Sequence, residues 1–331
     1  MKRDKAKKAV AISFALIIVL FASLNQSSVL AYNSKTIENS FYELAANVPG
    51  FEKWVDAQYT DVALLKEDND IFYTLYTVES SKDESCGYFI CDASGSIIEF
   101  SRNTSPYDKV LKTLSSKECK TENTILLYQP GFHGVLQSDG TVELVFGDNS
   151  NCERYDDMNS PSKGNDLEFN MISGVPDYPY TVSCIPTAIG NVIGYWDSHG
   201  YPNLVTTSTS SFISEISSYM TSNTANAYIP TAVHTYCHQS GRYPNNFTAT
   251  NIWSPTYAQF RAEINAGRPC LVGFSSGGYY SGAHMTCGVG YYYVVSTTTE
   301  YLYVHDTNSM TAFDFFVQWT SHNDFIGRIV P

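Results

Sequence analysis

Between Cys184 and Ile329 the spacing of apolar residues changes once, and that change restricts the fold. Ile185, Ala188, Ile189, Val192, Ile193 and Trp196 fall on one face of a helix over 184–196. Further helical patterns cover 212–220 and 232–239. Ser254-Pro255 reads as the N-cap and first residue of a helix over 256–266, which Gly267 stops. From Cys270 onward the pattern is that of strands, at 270–274, 284–295, 301–305, 313–316 and 325–329. Helices first and strands after specify an α+β fold with the two kinds of element segregated.

The chain ahead of this region reads as three pieces. Lys2, Arg3, Lys5, Lys7 and Lys8 precede an apolar stretch from Val10 to Ala22, and Val29-Leu30-Ala31 offers a cleavage site before Tyr32. This is the pattern of a signal peptide over 1–31, and its apolar core is short for a membrane anchor. An uncleaved N-terminal anchor is the rival reading. Residues 32–146 read as a small α+β domain. Ile37, Phe41, Leu44 and Ala45 mark a helix that ends near Pro49-Gly50, and strands follow at 62–65, 71–78, 88–92 and 97–100. Asp92-Ala93-Ser94-Gly95 suits a hairpin turn. A helix opens at Ser105-Pro106, with strands at 125–128, 134–137 and 142–146 beyond it. Residues 147–166 are rich in Asp, Asn, Ser, Pro and Gly and read as an exposed linker open to proteolysis. The domain over 167–331 completes the chain.

Charge narrows the partners. The sequence carries −13, and loss of the basic leader takes it to −17, which disfavours nucleic acid and anionic membrane surfaces. The eight cysteines show no repeated C-x-x-C pattern of a zinc site, and their spacing assigns no disulfide. Nothing in the sequence calls for a cofactor or a metal. His234 and His238 are one helical turn apart but lack the glutamate of a His-Glu-x-x-His site, so both read as surface histidines.

The chemistry gathers at three residues. Cys184 opens the first helix of the C-terminal domain, and Pro186 suits its first turn. Free backbone N–H groups and the positive end of the helix dipole there favour a thiolate. His284 begins a strand after the glycine-rich stretch 275–283, and Asp306 ends the next strand. If 284–295 and 301–305 form a hairpin, His284 and Asp306 stand at the same end. There an imidazole takes the thiol proton, and a carboxylate behind it fixes the ring's tautomer. Alternation along the strand turns His305 away and sends Cys287 into the core, and Asn308 is the reserve orienting residue. Gly288 and Gly290 leave room for a neighbouring backbone.

Cys184-Ile185-Pro186-Thr187-Ala188, then Gly282-Ala283-His284-Met285-Thr286-Cys287-Gly288, then Tyr301 to Thr307 resemble papain-fold cysteine peptidases of the bacteriocin-processing, double-glycine peptidase-like kind. The resemblance spans residues 168–331. It implies a papain-like domain in which Cys184 is the nucleophile, His284 the base and Asp306 the orienting group, acting on peptide bonds through an acyl-enzyme. The chain departs from the family at Ile185, where glycine is usual, and at Tyr178, where the oxyanion glutamine would stand. Tyr178, or else Tyr180, is the expected substitute donor. Gly87 to Ile90 and Asp92 to Phe100 resemble the prosegments of streptopain-like peptidases, which implies that the N-terminal domain packs on the catalytic one and is cut away at the linker.

These readings describe a secreted cysteine peptidase. Two others are compatible with the same residues: a papain-like domain that binds without catalysis at the cell envelope, and an acyl- or amide-transferring enzyme using the same triad.

Overall fold

The computed structural model describes residues 34–66, 72–80, 85–116, 125–137, 139, 141–147, 163–164, 166–223, 225–242, 246–275 and 283–331. The expected signal peptide and most of the expected linker lie outside them, as does most of the glycine-rich stretch.

The N-terminal half begins with helix α1 (34–47), which buries Phe41, Leu44 and Ala45, and Val48 is buried just past its end. A short 3-10 turn at Glu52–Trp54 leads into strands β1 (Gln58–Lys66), β2 (Phe72–Glu79), β3 (Ser85–Cys91) and β4 (Ile97–Ser101). The turn between β3 and β4 forms as its residues dictate. Asp92 Oδ1 accepts the N–H groups of Ser94 and Ser96, and Gly95 takes φ +85°. Helix α2 (Asp108–Ser116) and strands β5 (Ile125–Gln129), β6 (Phe132–Leu136) and β7 (Val142–Leu144) follow.

The C-terminal half opens with two strands that periodicity did not mark, β8 (Lys163–Gly164) and β9 (Leu167–Met171), so the end of the expected linker is paired backbone. Helices α3 (Cys184–Ser198), α4 (Thr209–Ser218) and α5 (Ile229–Cys237) come next. Edge strand β10 (Thr248–Trp253), helix α6 (Tyr257–Asn265) and strands β11 (Cys270–Phe274), β12 (His284–Val294), β13 (Thr299–His305), β14 (Asp314–Gln318) and β15 (Asn323–Val330) complete the chain. The cap of α6 differs from expectation. Thr256 is the N-cap in a reciprocal capping box with Gln259, while Ser254 sits at φ +49° outside the helix.

The strands join in one sheet, ordered β10-β15-β11-β12-β13-β14-β4-β3-β2-β1-β5-β6-β7, with β9 alongside the second half of β12. The two halves meet within it. β14 pairs antiparallel with β4 through Phe316 opposite Phe100 and Val317 opposite Glu99. The rings of Phe100 and Phe316 stack at 4.7 Å, and buried apolar side chains from both halves form one connected core. Helix α3 lies against β12 and buries Ala188 together with Ile185, Ile189, Val192 and Ile193, the last four each contributing about 1.5–3 kcal/mol. No helix among the described residues is long and apolar enough to cross a membrane.

Two glycines of β12 permit close packing. A Cβ at Gly288 would meet the side chains of Phe260 and Val272, and one at Gly290 would lie 2.9 Å from the Asn170 carbonyl oxygen of β9. Backbone cannot move aside as a side chain can, so Gly290→Ala is expected to cost about 2 kcal/mol, read as a lower urea midpoint at unchanged slope.

Candidate active site

Helix α3 delivers the thiol. Ser183 is extended at φ −161° and makes no side-chain cap; its hydroxyl donates instead to the Asn223 carbonyl. The first amides of the helix are therefore left for whatever stands at its end. Cys184 stands there, half-buried, with the backbone N–H groups of Ile185 and Met285 and the His284 side chain hydrogen-bonded to its sulfur. Ile185, the departure from the family's glycine, is only 3% exposed, so its side chain serves the core.

Strand register places the remaining groups. Cys287 pairs with His305, so three residues back along β12 and three beyond β13 His284 faces the turn that holds Asp306 and Asn308. His284 Nε2 lies 3.0 Å from Asp306 Oδ1. Asp306 is itself held: Oδ1 accepts the Asn308 N–H at 3.2 Å, Oδ2 accepts the Ser309 hydroxyl at 2.5 Å, and its own N–H donates to the Phe313 carbonyl. The Thr307 hydroxyl donates to the Met285 carbonyl and ties this turn to β12. With Nε2 engaged by Asp306, Nδ1 is the ring nitrogen left for the thiol. The Asn308 carboxamide reaches that same nitrogen, with Nδ2 at 2.9 Å.

The electrostatics follow from this packing. Burial works against every charge here, yet the partners outweigh it. Burial pushes the Cys184 thiol up, but the His284 hydrogen bond and charge and the two backbone N–H groups bring it below its ordinary value. Burial lowers His284, but its bonds to Asp306 and Cys184 raise it to about 9. Asp306 is held below its usual range by His284, Ser309 and the Asn308 N–H, against the opposing effect of burial. The partners thus favour the charged form of each group, with thiolate and carboxylate on either side of the imidazolium.

Tyr178 stands elsewhere. A Cβ at Gly194 would lie 2.6 Å from the Tyr178 hydroxyl, and Gly194 is ten residues along α3, roughly 15 Å from the thiol end. Its ring packs on Phe212, and its N–H donates to Asn191 Oδ1. The reason is steric: Gly194 lacks a side chain, and the ring lies in the space this leaves. Tyr178 is thus a packing residue at the far part of the helix. The Tyr180 hydroxyl donates to the Val182 carbonyl, and the Tyr180 N–H donates to Ser309. His305 turns to the Pro176 carbonyl, and Cys287 is fully buried. The rings of His234 and His238 stack at 3.8 Å. Among the described residues no group of three or more His, Cys, Asp or Glu side chains is placed to hold a metal, and six cysteines, Cys184 included, are free thiols.

The N-terminal half reaches the site. The ring of Phe132, at the start of β6, lies 5.7 Å from that of His284, while Gly131 packs on Phe274 and Gln129 Nε2 donates to the Ser275 carbonyl. Gly131, Phe132, His133 and Phe146 share a small cavity with Asp306 and Asn308. Behind it, buried Glu99 accepts the hydroxyls of Tyr88 at 2.7 Å and Tyr128 at 3.2 Å and pairs with His133 Nε2 at 2.7 Å.

Sequence reasoning left two features unmarked. It assigned Asn308 to the orienting side of the ring, where Asp306 stands, and it gave no sign that Phe132 approaches His284. Both depend on side-chain directions across elements far apart in sequence. Residues 167–321 match the model of the Peptidase_C39 like family, which supports a C39-like cysteine peptidase for this stretch. No curated protein and no solved structure matches the chain.

Proposed function

We propose that this chain is an exported cysteine peptidase whose N-terminal half lies over the active site until the connection at 148–162 is cut. The observation that carries the reading is the hydrogen-bonded row from the Cys184 thiol through buried His284 to Asp306. The Cys184 sulfur attacks a peptide carbonyl, and the backbone N–H groups at the start of α3 face the oxygen that becomes negative. The C–N bond then breaks as His284 Nδ1 gives its proton to the leaving nitrogen, and the acyl group stays on the sulfur. Water, deprotonated by the now neutral ring, attacks the thioester and frees the thiolate. Asp306 keeps Nε2 occupied throughout, so the ring presents Nδ1 to the sulfur. Export is supported by the basic start and the apolar run from Val10 to Ala22.

The test is digestion of a mixed peptide library by the full chain, intact and after limited proteolysis within 148–162, with Cys184→Ala alongside. New peptide termini that increase after nicking and vanish in Cys184→Ala are the expected result. Products carrying added amines instead of new carboxyl ends would favour acyl transfer. No turnover from the nicked chain with a labelled, reactive Cys184 would favour a binding domain.

A further inference from the structure

The His284 nitrogen that faces the thiol has a second neighbour, the carboxamide of Asn308. Nδ2 of Asn308 lies 2.9 Å from His284 Nδ1, and Asp306 already takes Nε2. The Asn308 carboxamide is therefore not at the nitrogen that Asp306 orients; only its backbone N–H serves that side, and the side chain stands at Nδ1.

In peptide cleavage, Nδ1 must hand its proton to the nitrogen of the departing segment, so that nitrogen comes within hydrogen-bond distance of Nδ1. A group now 2.9 Å from Nδ1 occupies that place or adjoins it. The Ile185 amide, by contrast, belongs to the start of α3. A carboxamide holds one acceptor and two donors, as a peptide unit needs. The Asn308 backbone is fixed by its N–H bond to Asp306 Oδ1, and the next residue's carbonyl accepts the Tyr180 N–H. Its side chain is half-buried and lines the cavity beneath Phe132.

Resting on the peptidase reading, we propose that Asn308 binds the leaving side of the substrate. Its carboxamide, whose oxygen is the end able to accept from a protonated Nδ1, leaves His284 for hydrogen bonds to the first peptide unit beyond the cleaved bond. Substrates and acyl acceptors that carry a carboxamide there are favoured over amines that lack one. Phe132 packs against this same side, so the N-terminal half covers the leaving-side subsite directly.

The test uses acyl transfer in the full chain. p-Nitrophenyl acetate acetylates Cys184: the C–S bond forms, the ester C–O bond breaks, and nitrophenol leaves with the proton of His284, so the ring is neutral. The acetyl thioester is then offered glycinamide or propargylamine, an amine of similar basicity with no carboxamide. In each capture the amine nitrogen forms the C–N bond, the C–S bond breaks, the electron pair returns to sulfur and the amine proton passes to His284. The ratio of the two acetamides, measured by mass spectrometry, is compared in the wild type, Asn308→Ala and Asn308→Gln, and again in the same three with Phe132→Ala added to open the cover. One or two neutral hydrogen bonds correspond to a preference of about tenfold for glycinamide in the wild type. That preference falls to about unity in Asn308→Ala and partly returns in Asn308→Gln. Iodoacetamide labelling of Cys184, which uses no leaving nitrogen, reports the ring's position in the same proteins. Equal capture of both amines by the wild type, no capture of either, or a preference that survives Asn308→Ala overturns the proposal. A parallel loss of iodoacetamide labelling also overturns it, since Asn308 would then act only by holding His284. Failure of wild-type Cys184 to acetylate at all counts against the peptidase reading itself, whereas acetylation without preference counts against the role of Asn308 alone.

Discussion

Replacing His284 by alanine is expected to slow iodoacetamide labelling of Cys184 at pH 6.5 by roughly a hundredfold. That pH is about two units below an ordinary thiol pKa, so a thiol that loses its activation is about 1% ionised there. In the intact protein the bond to His284 and that residue's charge are the leading influences that keep the sulfur low. Without the ring, burial remains and pushes the thiol up, so the loss is at least that of an ordinary cysteine. The pH profile has a definite sign on both sides. Labelling rises from the acid side as Cys184 ionises below its usual range and then levels off. Peptide hydrolysis follows the same rise but falls again near pH 9, where His284 loses the proton it must give to the leaving nitrogen. Labelling does not fall there, because alkylation needs the thiolate alone. Mass spectrometry of Cys184 across pH 5 to 10 in the wild type and His284→Ala separates the two limbs. A wild-type profile rising only near pH 8.5, as in an unassisted thiol, would mean that the ion pair does not form and would remove the basis of the peptidase reading.

Glu99→Ala is expected to be among the most destabilising single changes in the chain, at about 3–5 kcal/mol. Glu99 is fully buried on β4, at the strand that joins the two halves. It accepts hydrogen bonds from Tyr88 and Tyr128, whose hydroxyls burial pushes up so that they remain protonated donors. It also pairs with His133. Removing the carboxylate leaves these buried groups without their acceptor. Glu99→Gln keeps the volume and one acceptor oxygen and is expected to cost less. Urea unfolding of the two variants gives the ordering. The functional consequence follows from where His133 sits, in the cavity shared with Asp306 and Asn308. Loosening this cluster should raise the rate at which a bulky maleimide reaches Cys184 more than it raises the rate for iodoacetamide. Equal gains for both reagents would show that the N-terminal half does not screen the site.

The place of Cys184 was legible in the sequence because its determinants are local. A helical apolar stripe beginning at Ile185, a proline in the first turn and a cysteine at the very start fix both the helix and the position of the sulfur on it. His284 and Asp306 were legible for a related reason: two strands joined by a short turn have their far ends together, whatever else the fold does. The strands of the N-terminal half were marked by the same alternation, and Asp92 with Gly95 specified their turn. The α6 cap was misplaced because Ser254-Pro255 and Thr256 offer competing caps two residues apart, and only the reciprocal bond with Gln259 selects the second. β9 and β10 escaped because each is short and gains its order from the partner it pairs with, β12 in one case and β15 in the other.

Sequence alone therefore determined what periodicity and neighbouring residues can encode: an α+β order, a thiol at a helix start, and an imidazole and a carboxylate at one end of a hairpin. Tertiary structure decided what depends on directions between distant elements. It drew Tyr178 into the space beside Gly194, turned Asn308 toward Nδ1 of His284, and brought Phe132 from the other half of the chain onto the same ring. It also ran one sheet through both halves, since a strand edge left open on β4 is satisfied by β14. Such contacts are set by the packing of surfaces that meet only after the chain has folded, and no local pattern records them.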